Sequence, residues 1–369
     1  MSQIIKVAAC HASPIFLSAK KTTEKSISLI QEASRRGANL VIFPETFIPA
    51  FPVWSSIRPP TDNHDLFKRM VKESIDVSGP EVNALRATAK QNGTMISIGI
   101  SEKVQSSCGT LYNSNLIIGD DGEILVHHRK LMPTFFEKLT WSPGDGYGLR
   151  VADTKFGKIG NLICGENSNP LARYSLMAQG EQVHISSWPA IWPTRLPSAT
   201  SEPANSAGAK AANYDNINAN RIRAAAHCFE AKCFGIMSAG ILDSEAIEII
   251  ASGSHNPEML ANFLNNSPRG ATMFLDPTGA PLKGFTYRSD GTEEQIDCLQ
   301  HEEGILYGTM NLEDCIEGKQ YHDTSGGYQR LDVLQLKVDR TRRVPAKFND
   351  ESGVKVTEDE KDQPASSDL

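Results

Sequence analysis

The sequence lacks any apolar run long enough to cross a bilayer, which takes about 20 consecutive apolar residues. The longest candidate, residues 40–54, is interrupted by Glu45 and by prolines at positions 44, 49 and 52. The first ten residues have no long apolar stretch behind a basic start, so we expect no signal peptide. The sequence therefore predicts neither a membrane span nor a membrane partner.

Basic residues are also in deficit, because 37 Lys and Arg stand against 44 Asp and Glu, a formal net charge of −7 at pH 7. A nucleic-acid-binding protein needs a basic face, and an anionic membrane surface attracts basic segments. The charge balance argues against both kinds of partner.

Cysteine provides no disulfide framework, since the seven cysteines are odd in number and irregularly spaced. Disulfide-stapled domains are secreted and carry paired cysteines at regular spacings. We therefore expect free thiols and a cytoplasmic protein.

What the chain does contain is an alternation of strand and helix patterns. Apolar runs predict strands at 4–10, 39–43, 95–100, 116–118, 124–126, 158–164, 183–188, 233–238, 271–275 and 305–312. Helical periodicity and end signals predict helices at about 23–37, 80–93, 170–180 and 207–231. This interleaving favours one layered α/β domain over residues 1–342. The acidic, polar residues 343–369 offer little to bury, so we predict a disordered tail.

Cys164 is the most informative single position, because it ends an apolar strand and a helix begins a few residues later. A nucleophile on such a turn is exposed and faces backbone N–H groups at the positive end of the helix. The same features predict a lowered thiol pKa. Taken alone, however, a buried cysteine that acts as a small apolar side chain is the commoner case.

Two further groups gain meaning from their positions at strand ends. Glu45 follows a buried strand, where α/β proteins bind ligands, and burial near Phe43 and Phe47 would raise its pKa to suit a general base. Lys130 follows the hairpin strand and could stabilise developing negative charge, with Glu137 seven residues later as its partner. Each residue alone could equally be a solvated surface charge.

Signals for a metal or a cofactor are weak. His127 and His128 have no third ligand at a suitable spacing. The glycine-rich turn at 144–148 lacks the Lys-Ser/Thr of a phosphate-binding loop. We expect the protein to need no metal and no organic cofactor.

Taken together and in order, the three candidates resemble the nitrilase superfamily of carbon–nitrogen hydrolases, in its nitrilase branch. The matching segments are 43–45 (FPE), 128–134 (HRKLMPT), 164–167 (CGEN) and 170–174 (PLARY), with weaker similarity at 220–234 and 327–333. The similarity runs from about residue 4 to residue 336. Two departures are Gly165, where this branch often has Trp, and Gly327 and Leu331, where it usually has His and Pro.

The resemblance implies an α-β-β-α sandwich whose subunits pair into a dimer or larger, even spiral, homo-oligomer. It implies that Cys164 is the nucleophile, Glu45 the base, Lys130 the oxyanion-stabilising cation and Glu137 the residue that orients Lys130. The expected reaction converts a small organic nitrile into a carboxylic acid and ammonia, with some amide. The backbone N–H of Gly165 would assist Lys130.

Alternatives of the same chemistry are an amidase or carbamoylase and a cyanide hydratase, and one from another class is a catalytically silent assembly protein. Aromatic residues next to the catalytic segments favour a pocket for an organic body over free cyanide. These are Phe51, Trp54, Phe135, Trp188 and Trp192. No additional Arg or Lys motif predicts a charged substrate.

Overall fold

The computed structural model describes residues 3–196, 213 and 215–346. In chain order its strands are β1 (Ile4–His11), β2 (Leu40–Ile42), β3 (Met95–Lys103), β4 (Leu111–Ile118), β5 (Ile124–Arg129), β6 (Ala152–Thr154), β7 (Gly157–Ile163), β8 (Val183–Trp188), β9 (Phe234–Ala239), β10 (Met273–Leu275), β11 (Pro281–Leu282), β12 (Gly284–Tyr287), β13 (Glu293–Ile296) and β14 (Gly304–Asn311). Its α-helices are α1 (Ala19–Arg35), α2 (Trp54–Ile57), α3 (His64–Glu73), α4 (Pro80–Asn92), α5 (Pro170–Met177), α6 (Asn216–Ala231), α7 (Ser244–Ser252), α8 (Pro257–Asn265) and α9 (Asp314–Glu317). In this part of the chain, no helix is both long and apolar enough to span a membrane.

The strands form two mixed sheets. The larger sheet has the order β13-β12-β14-β1-β2-β3-β4-β5, and the smaller has the order β11-β10-β9-β8-β7-β6. Parallel strands occupy the middle of each sheet, namely β1-β2-β3 in the larger and β7-β8-β9 in the smaller. Since β5 is antiparallel to β4, and β4 to β3, the carboxyl ends of β2 and β5 lie at the same edge.

The two sheets pack face to face through an apolar core. Alternate side chains of β1, including Val7 and Ala9, share one buried cluster with Ile185 of β8 and Ile236 of β9. Such alternation is what a strand with both faces covered requires. The interface between the sheets is the centre of the molecule.

Helices cover both outer faces. Ile30 of α1 and Leu85 of α4 pack on the outer face of the larger sheet, with Ile98 of β3. Ala224 of α6 packs on the smaller sheet beside Met237. The layers are therefore α-β-β-α, and the predicted fold class is confirmed.

Differences from the predicted elements have physical reasons. Helix α1 begins at Ala19, four residues early, since its first turns bury polar Thr22 and Thr23 and so carry no apolar period. The structure describes helix α6 from Asn216 onward. Residues 207–212 and 214, which belong to the predicted helix, lie outside the described residues. The same is true of the predicted tail from residue 347 on.

Candidate active site

Four predicted side chains from separate loops come together between the carboxyl ends of β2, β5 and β7. Glu45, Glu137 and Cys164 each place one carboxylate oxygen or sulfur within 4.8 Å of those of the other two. Lys130 lies among them and contacts both carboxylates. These four residues are brought together as the sequence predicted.

Glu45 is fully buried and only half satisfied. Its Oε1 accepts hydrogen bonds from Asn113 Nδ2 at 2.7 Å and Lys130 Nζ at 2.9 Å. Its Oε2 is buried without a hydrogen-bond partner. Burial raises the pKa of Glu45 to about 7, against the lowering effect of Lys130. The predicted raised pKa is confirmed, and Oε2 is a proton acceptor with a free lone pair.

Lys130 is an ammonium group without solvent exposure. Its Nζ lies 2.9 Å from Glu45 Oε1 and 2.6 Å from Glu137 Oε2, which confirms the predicted pairing with Glu137. Burial lowers its pKa, but the adjacent carboxylates of Glu137 and Glu45 outweigh burial and hold the pKa well above its usual value. The site therefore holds a permanent buried cation.

Glu137 is fixed by a capping box at the start of a 3₁₀ turn, Phe135–Leu139. Its Oε2 accepts from the backbone N–H of Thr134 at 2.9 Å, while the Thr134 hydroxyl accepts from the Glu137 backbone. Trp192 Nε1 donates to the other oxygen at 3.3 Å. A β-carbon at Gly165 would lie 2.6 Å from Thr134 Oγ1, so glycine leaves room for this box.

Cys164 follows β7 in a left-handed conformation, φ 49°, and opens a 3₁₀ turn that leads into α5. Asn169 caps that helix by accepting from the N–H groups of Leu171 and Ala172. The predicted lowering of the thiol pKa is wrong: burial raises the pKa of Cys164 well above its usual value, and the opposing effect of Lys130 is smaller. The resting sulfur is therefore a thiol.

Glu166, two residues after the cysteine, ties the nucleophile turn to the lysine loop. Its carboxylate accepts from Ile163 N at 2.8 Å, Leu131 N at 2.7 Å and His128 Nε2 at 2.9 Å. Sequence reasoning missed this role and considered His128 only as a metal ligand. The signal available was an acid within the turn itself, where backbone N–H groups need acceptors.

Asn167 stabilises the same turn through hydrogen bonds to its backbone. Its Nδ2 donates to the carbonyls of Leu162 and Cys164, both at 3.1 Å. Two carbonyl partners fix the amide orientation, so Oδ1 must face His184 Nε2 at 2.9 Å. The other nitrogen, Nδ1, faces Glu181 Oε1 at 2.9 Å. Both ring nitrogens of His184 thus have hydrogen-bond partners inside the fold.

Lower pH is expected to destabilise the fold through the buried cluster of Glu181, His184 and His227. Burial, together with the charge of His184, lowers the pKa of His227 to about 4 from 6.5. Only the unfolded chain then binds a proton as pH falls below about 6.5, so stability decreases down to about pH 4. His11, whose pKa burial also lowers, acts in the same direction. The pKa of Glu181 is about 2, because both imidazoles outweigh burial, so its contribution is present above 4.5 and is lost as pH falls towards 2.

Urea unfolding followed by tryptophan fluorescence at pH 7, 5.5 and 4 would measure this dependence. We expect the midpoint to fall at each step, and to fall less in His227→Gln than in the matched surface variant His255→Gln. A midpoint that stays constant between pH 7 and pH 4 would contradict the assignment of a neutral buried His227.

Two cavities adjoin the catalytic groups. One of about 470 Å³ lies beside Glu45 and includes Phe51 in an apolar wall. The other, of about 220 Å³, opens on the nucleophile and is lined by Cys164, Trp188, Pro189, Trp192, Asn216, Asn220 and Arg223. Access to the sulfur is through the smaller cavity.

The predicted pocket aromatics separate into two groups. Trp188 and Trp192 line the cavity at Cys164, and Phe51 lines the larger one. Trp54 instead packs in a core cluster, edge to face with Phe16, and lines neither cavity. Phe135 is 66% exposed and contacts the rings of Phe136 and Trp192.

Polar side chains of α6 form a wall of the Cys164 cavity that the sequence analysis missed. Asn216, Asn220 and Arg223 are spaced four and three residues apart, which puts them on one helix face. The sequence showed no additional Arg or Lys motif for a charged substrate, whereas the structure places Arg223 in this wall. Helical spacing of Asn, Asn and Arg was the signal that could have revealed it.

Two groups of side chains have metal-ligand character. The atoms of Glu45, Glu137 and Cys164 surround the ammonium of Lys130, which already supplies the positive charge there. Glu181, His227 and Cys233 form the second group, and Glu181 Oε2 accepts a hydrogen bond from His227 Nε2 at 2.6 Å. In both groups the described residues already provide partners for the carboxylates.

Comparison with known proteins identifies the family of this chain. Residues 6–320 match the model of the carbon–nitrogen hydrolase family. The chain belongs to the carbon–nitrogen hydrolase family. Within that family it is 31% identical to a nitrilase of Penicillium rubens over 94% of this chain and 97% of that protein. It is also 31% identical to an arylacetonitrilase of Hypocrea virens, over 91% of this chain and 92% of that protein.

The family assignment confirms the resemblance seen in the sequence motifs. A Saccharomyces cerevisiae member of branch 10 of the nitrilase superfamily has a similar fold, with a TM-score of 0.61 at 18% identity over 89% of this chain and 98% of that one. At this identity the similarity concerns the fold alone. It agrees with the two-sheet sandwich described above.

Proposed function

We propose that this carbon–nitrogen hydrolase is a nitrilase that converts an organic nitrile into the carboxylic acid and ammonia, with Cys164 as nucleophile. The observation that carries the proposal is the Cys164 sulfur within 4.8 Å of a carboxylate oxygen of Glu45, a buried base whose pKa is about 7 and whose Oε2 has no partner among the described residues. A weak nucleophile beside a suitable base is the arrangement that covalent catalysis requires. The relatives named nitrilase and arylacetonitrilase support the nitrile as substrate.

In the first step the Cys164 sulfur bonds to the nitrile carbon while the thiol proton passes through Glu45 to the nitrogen, giving a thioimidate. Lys130 lies where it can stabilise the negative charge that develops on nitrogen, with the N–H of Gly165 as a second donor. Glu137 would keep the ammonium in position through its 2.6 Å contact.

In the second step water adds to the thioimidate carbon with Glu45 as base, and the tetrahedral intermediate expels ammonia to leave a thioester. A second water molecule then releases the carboxylic acid and restores the thiol. In sum, one nitrile and two water molecules yield one acid and one ammonia. If sulfur leaves the tetrahedral intermediate before nitrogen does, the product is the amide.

The same groups could serve an amidase, a carbamoylase or a cyanide hydratase. The names of the relatives favour an organic nitrile over these alternatives. A catalytically silent assembly protein is disfavoured, because Glu45, Lys130 and Cys164 are all present and in contact range.

A panel of nitriles, each paired with its amide, together with free cyanide, tests the proposal by ammonia release. We expect kcat/KM for at least one organic nitrile to exceed that for its amide and for cyanide by tenfold or more, about 1.4 kcal/mol of transition-state preference. Acid and amide products are quantified by chromatography, with enzyme-free samples as background. A preference for amides or for cyanide throughout the panel would overturn the substrate class.

We further propose that the protein assembles as a homodimer or larger homo-oligomer. Apolar side chains on the outer surfaces of α5 and α6 support a covered face, since Leu171, Ile222 and Phe229 are each at least half exposed. The seven cysteines are free thiols, which is consistent with the cytoplasmic location we propose. The division of the chain into a hydrolase domain, residues 1–342, and an acidic tail, residues 343–369, remains a proposal.

A further inference from the structure

The Cys164 cavity has a polar wall that an unsubstituted hydrocarbon nitrile would leave unused. Asn216, Asn220 and Arg223 present their side chains from the first turns of α6, opposite the nucleophile turn. Ligand pockets are mostly apolar, with a few polar groups that fix orientation and specificity. Three neighbouring polar side chains therefore indicate which substrate the cavity accepts.

Arg223 is held in a defined orientation by its neighbours. Its Nε donates to Ala219 O at 2.9 Å, and its Nη2 donates to Asn220 Oδ1 at 2.8 Å. The guanidinium carbon lies 4.4 Å from the centre of the Trp188 ring, on which the cation stacks. These contacts fix the plane of the guanidinium before any ligand arrives, so little conformational entropy is lost on binding.

The charge of Arg223 has no carboxylate partner among the described residues. Among the described residues Arg223 forms no ion pair, and its Nη1 makes no hydrogen bond. By contrast, Glu230 on the same helix forms an ion pair, with 3.2 Å between its Oε2 and Arg173 Nη2. An oriented arginine in a cavity wall with unused donors is suited to a planar anion that accepts two hydrogen bonds.

We propose that Arg223 binds a carboxylate on the substrate, so that the physiological nitrile is a small cyano acid. This inference rests on the proposed nitrilase function and specifies its substrate class. The Asn220 amide nitrogen, which donates to no other described residue, is available as a further donor beside Arg223. Cys164 and Arg223 line the same cavity, so the nitrile and the carboxylate of such a substrate can lie in it together.

This substrate class specifies the organic body expected from the sequence by adding a carboxylate to it. Trp188 does line the cavity, but the guanidinium covers one face of its ring, which reduces the apolar area available to a substrate. A carboxylate would neutralise the cation that an uncharged aromatic nitrile would leave unpaired.

The test compares ω-cyano carboxylates of one to four methylene groups with their methyl esters, which keep the nitrile and the chain and remove the charge. Initial rates of ammonia release give kcat and KM for the wild type, Arg223→Gln and Arg221→Gln. Arg221 lies on the same helix outside the cavity wall, so its substitution removes an equal charge as a matched control.

We expect the wild type to prefer at least one cyano acid to its ester by tenfold or more. In Arg223→Gln, kcat/KM for that acid should fall by about 10- to 100-fold, mainly through KM, because a charge-assisted bidentate contact is lost. The ester should be little affected, and Arg221→Gln should behave as the wild type with both substrates.

Equal or faster turnover of the esters by the wild type would overturn the inference, and that comparison does not depend on any variant folding. An equal loss on acid and ester in folded Arg223→Gln would also overturn it, since it would indicate a structural role. Failure on these grounds leaves nitrile hydrolysis standing, whereas an absence of turnover on every nitrile would refute the proposed function itself.

Discussion

Cys164→Ala is expected to lose ammonia release from nitriles down to the background rate, a fall of about 10⁴-fold or more, and to keep its fold. The proposed thioimidate and thioester both form on this sulfur, and neither Glu45 nor Lys130 can replace it as a nucleophile. The side chain is small and buried, so its truncation should cost only about 1 kcal/mol of stability. Ammonia assay, circular dichroism and thermal unfolding measure the three quantities.

Cys108→Ala is the matched control, because Cys108 is an exposed free thiol and loses the same atom. Its activity should equal that of the wild type. With a slow nitrile, intact mass spectrometry should detect a covalent adduct on the wild type and on Cys108→Ala, and none on Cys164→Ala. A folded Cys164→Ala protein with undiminished turnover would refute the nucleophile assignment.

Glu45→Gln is expected to lower kcat by about 10²–10⁴-fold, the contribution of general base catalysis. The substitution is nearly isosteric, and the glutamine oxygen can still accept from Asn113 and Lys130, which both contact Oε1. What it replaces is Oε2, the oxygen without a partner and therefore the one free to take the thiol proton. Chemistry should fail while the structure and the substrate affinity persist.

The exposed Glu123→Gln, which makes the same chemical change far from the site, should leave kcat unchanged. In the wild type, kcat/KM should fall as pH decreases through about 7, because the pKa of Glu45 lies there and the base must be ionised. Near-normal kcat in Glu45→Gln, or an acid limb that begins only below pH 5, would exclude Glu45 as the base.

Three catalytic residues could be predicted from the sequence because each lies at or just after the end of a recognisable strand. Glu45, Lys130 and Cys164 follow apolar runs, and strand ends at one edge of a sheet meet in space. The partners that hold these residues were not readable, since Asn113 and Glu166 are polar residues whose role depends on backbone groups of other loops. The direction of the Cys164 pKa shift could not be predicted either, because burial is a property of the whole fold.

The polar wall and five of the described α-helices, α7 and α8 among them, were missed for different reasons. Asn216 and Arg223 could be placed on one face of α6 by counting, but which face meets the nucleophile depends on how α6 packs on the smaller sheet. Helices α7 and α8 carry clear start signals, Asp243 accepting from Ala246 N and Asn256 preceding Pro257. Their signals were present locally and should have been recognised.

The arrangement of one ammonium, two carboxylates and one thiol has an electrical consequence. In the proposed reaction, transfer of the thiol proton to Glu45 converts a neutral sulfur into an anion and an anionic carboxylate into a neutral acid. The total charge of Glu45, Lys130, Glu137 and Cys164 is therefore the same before and after this proton transfer. Because the net charge of the site does not change in this step, the solvent does not need to reorganise around it. The same chemistry can therefore proceed where water is largely excluded.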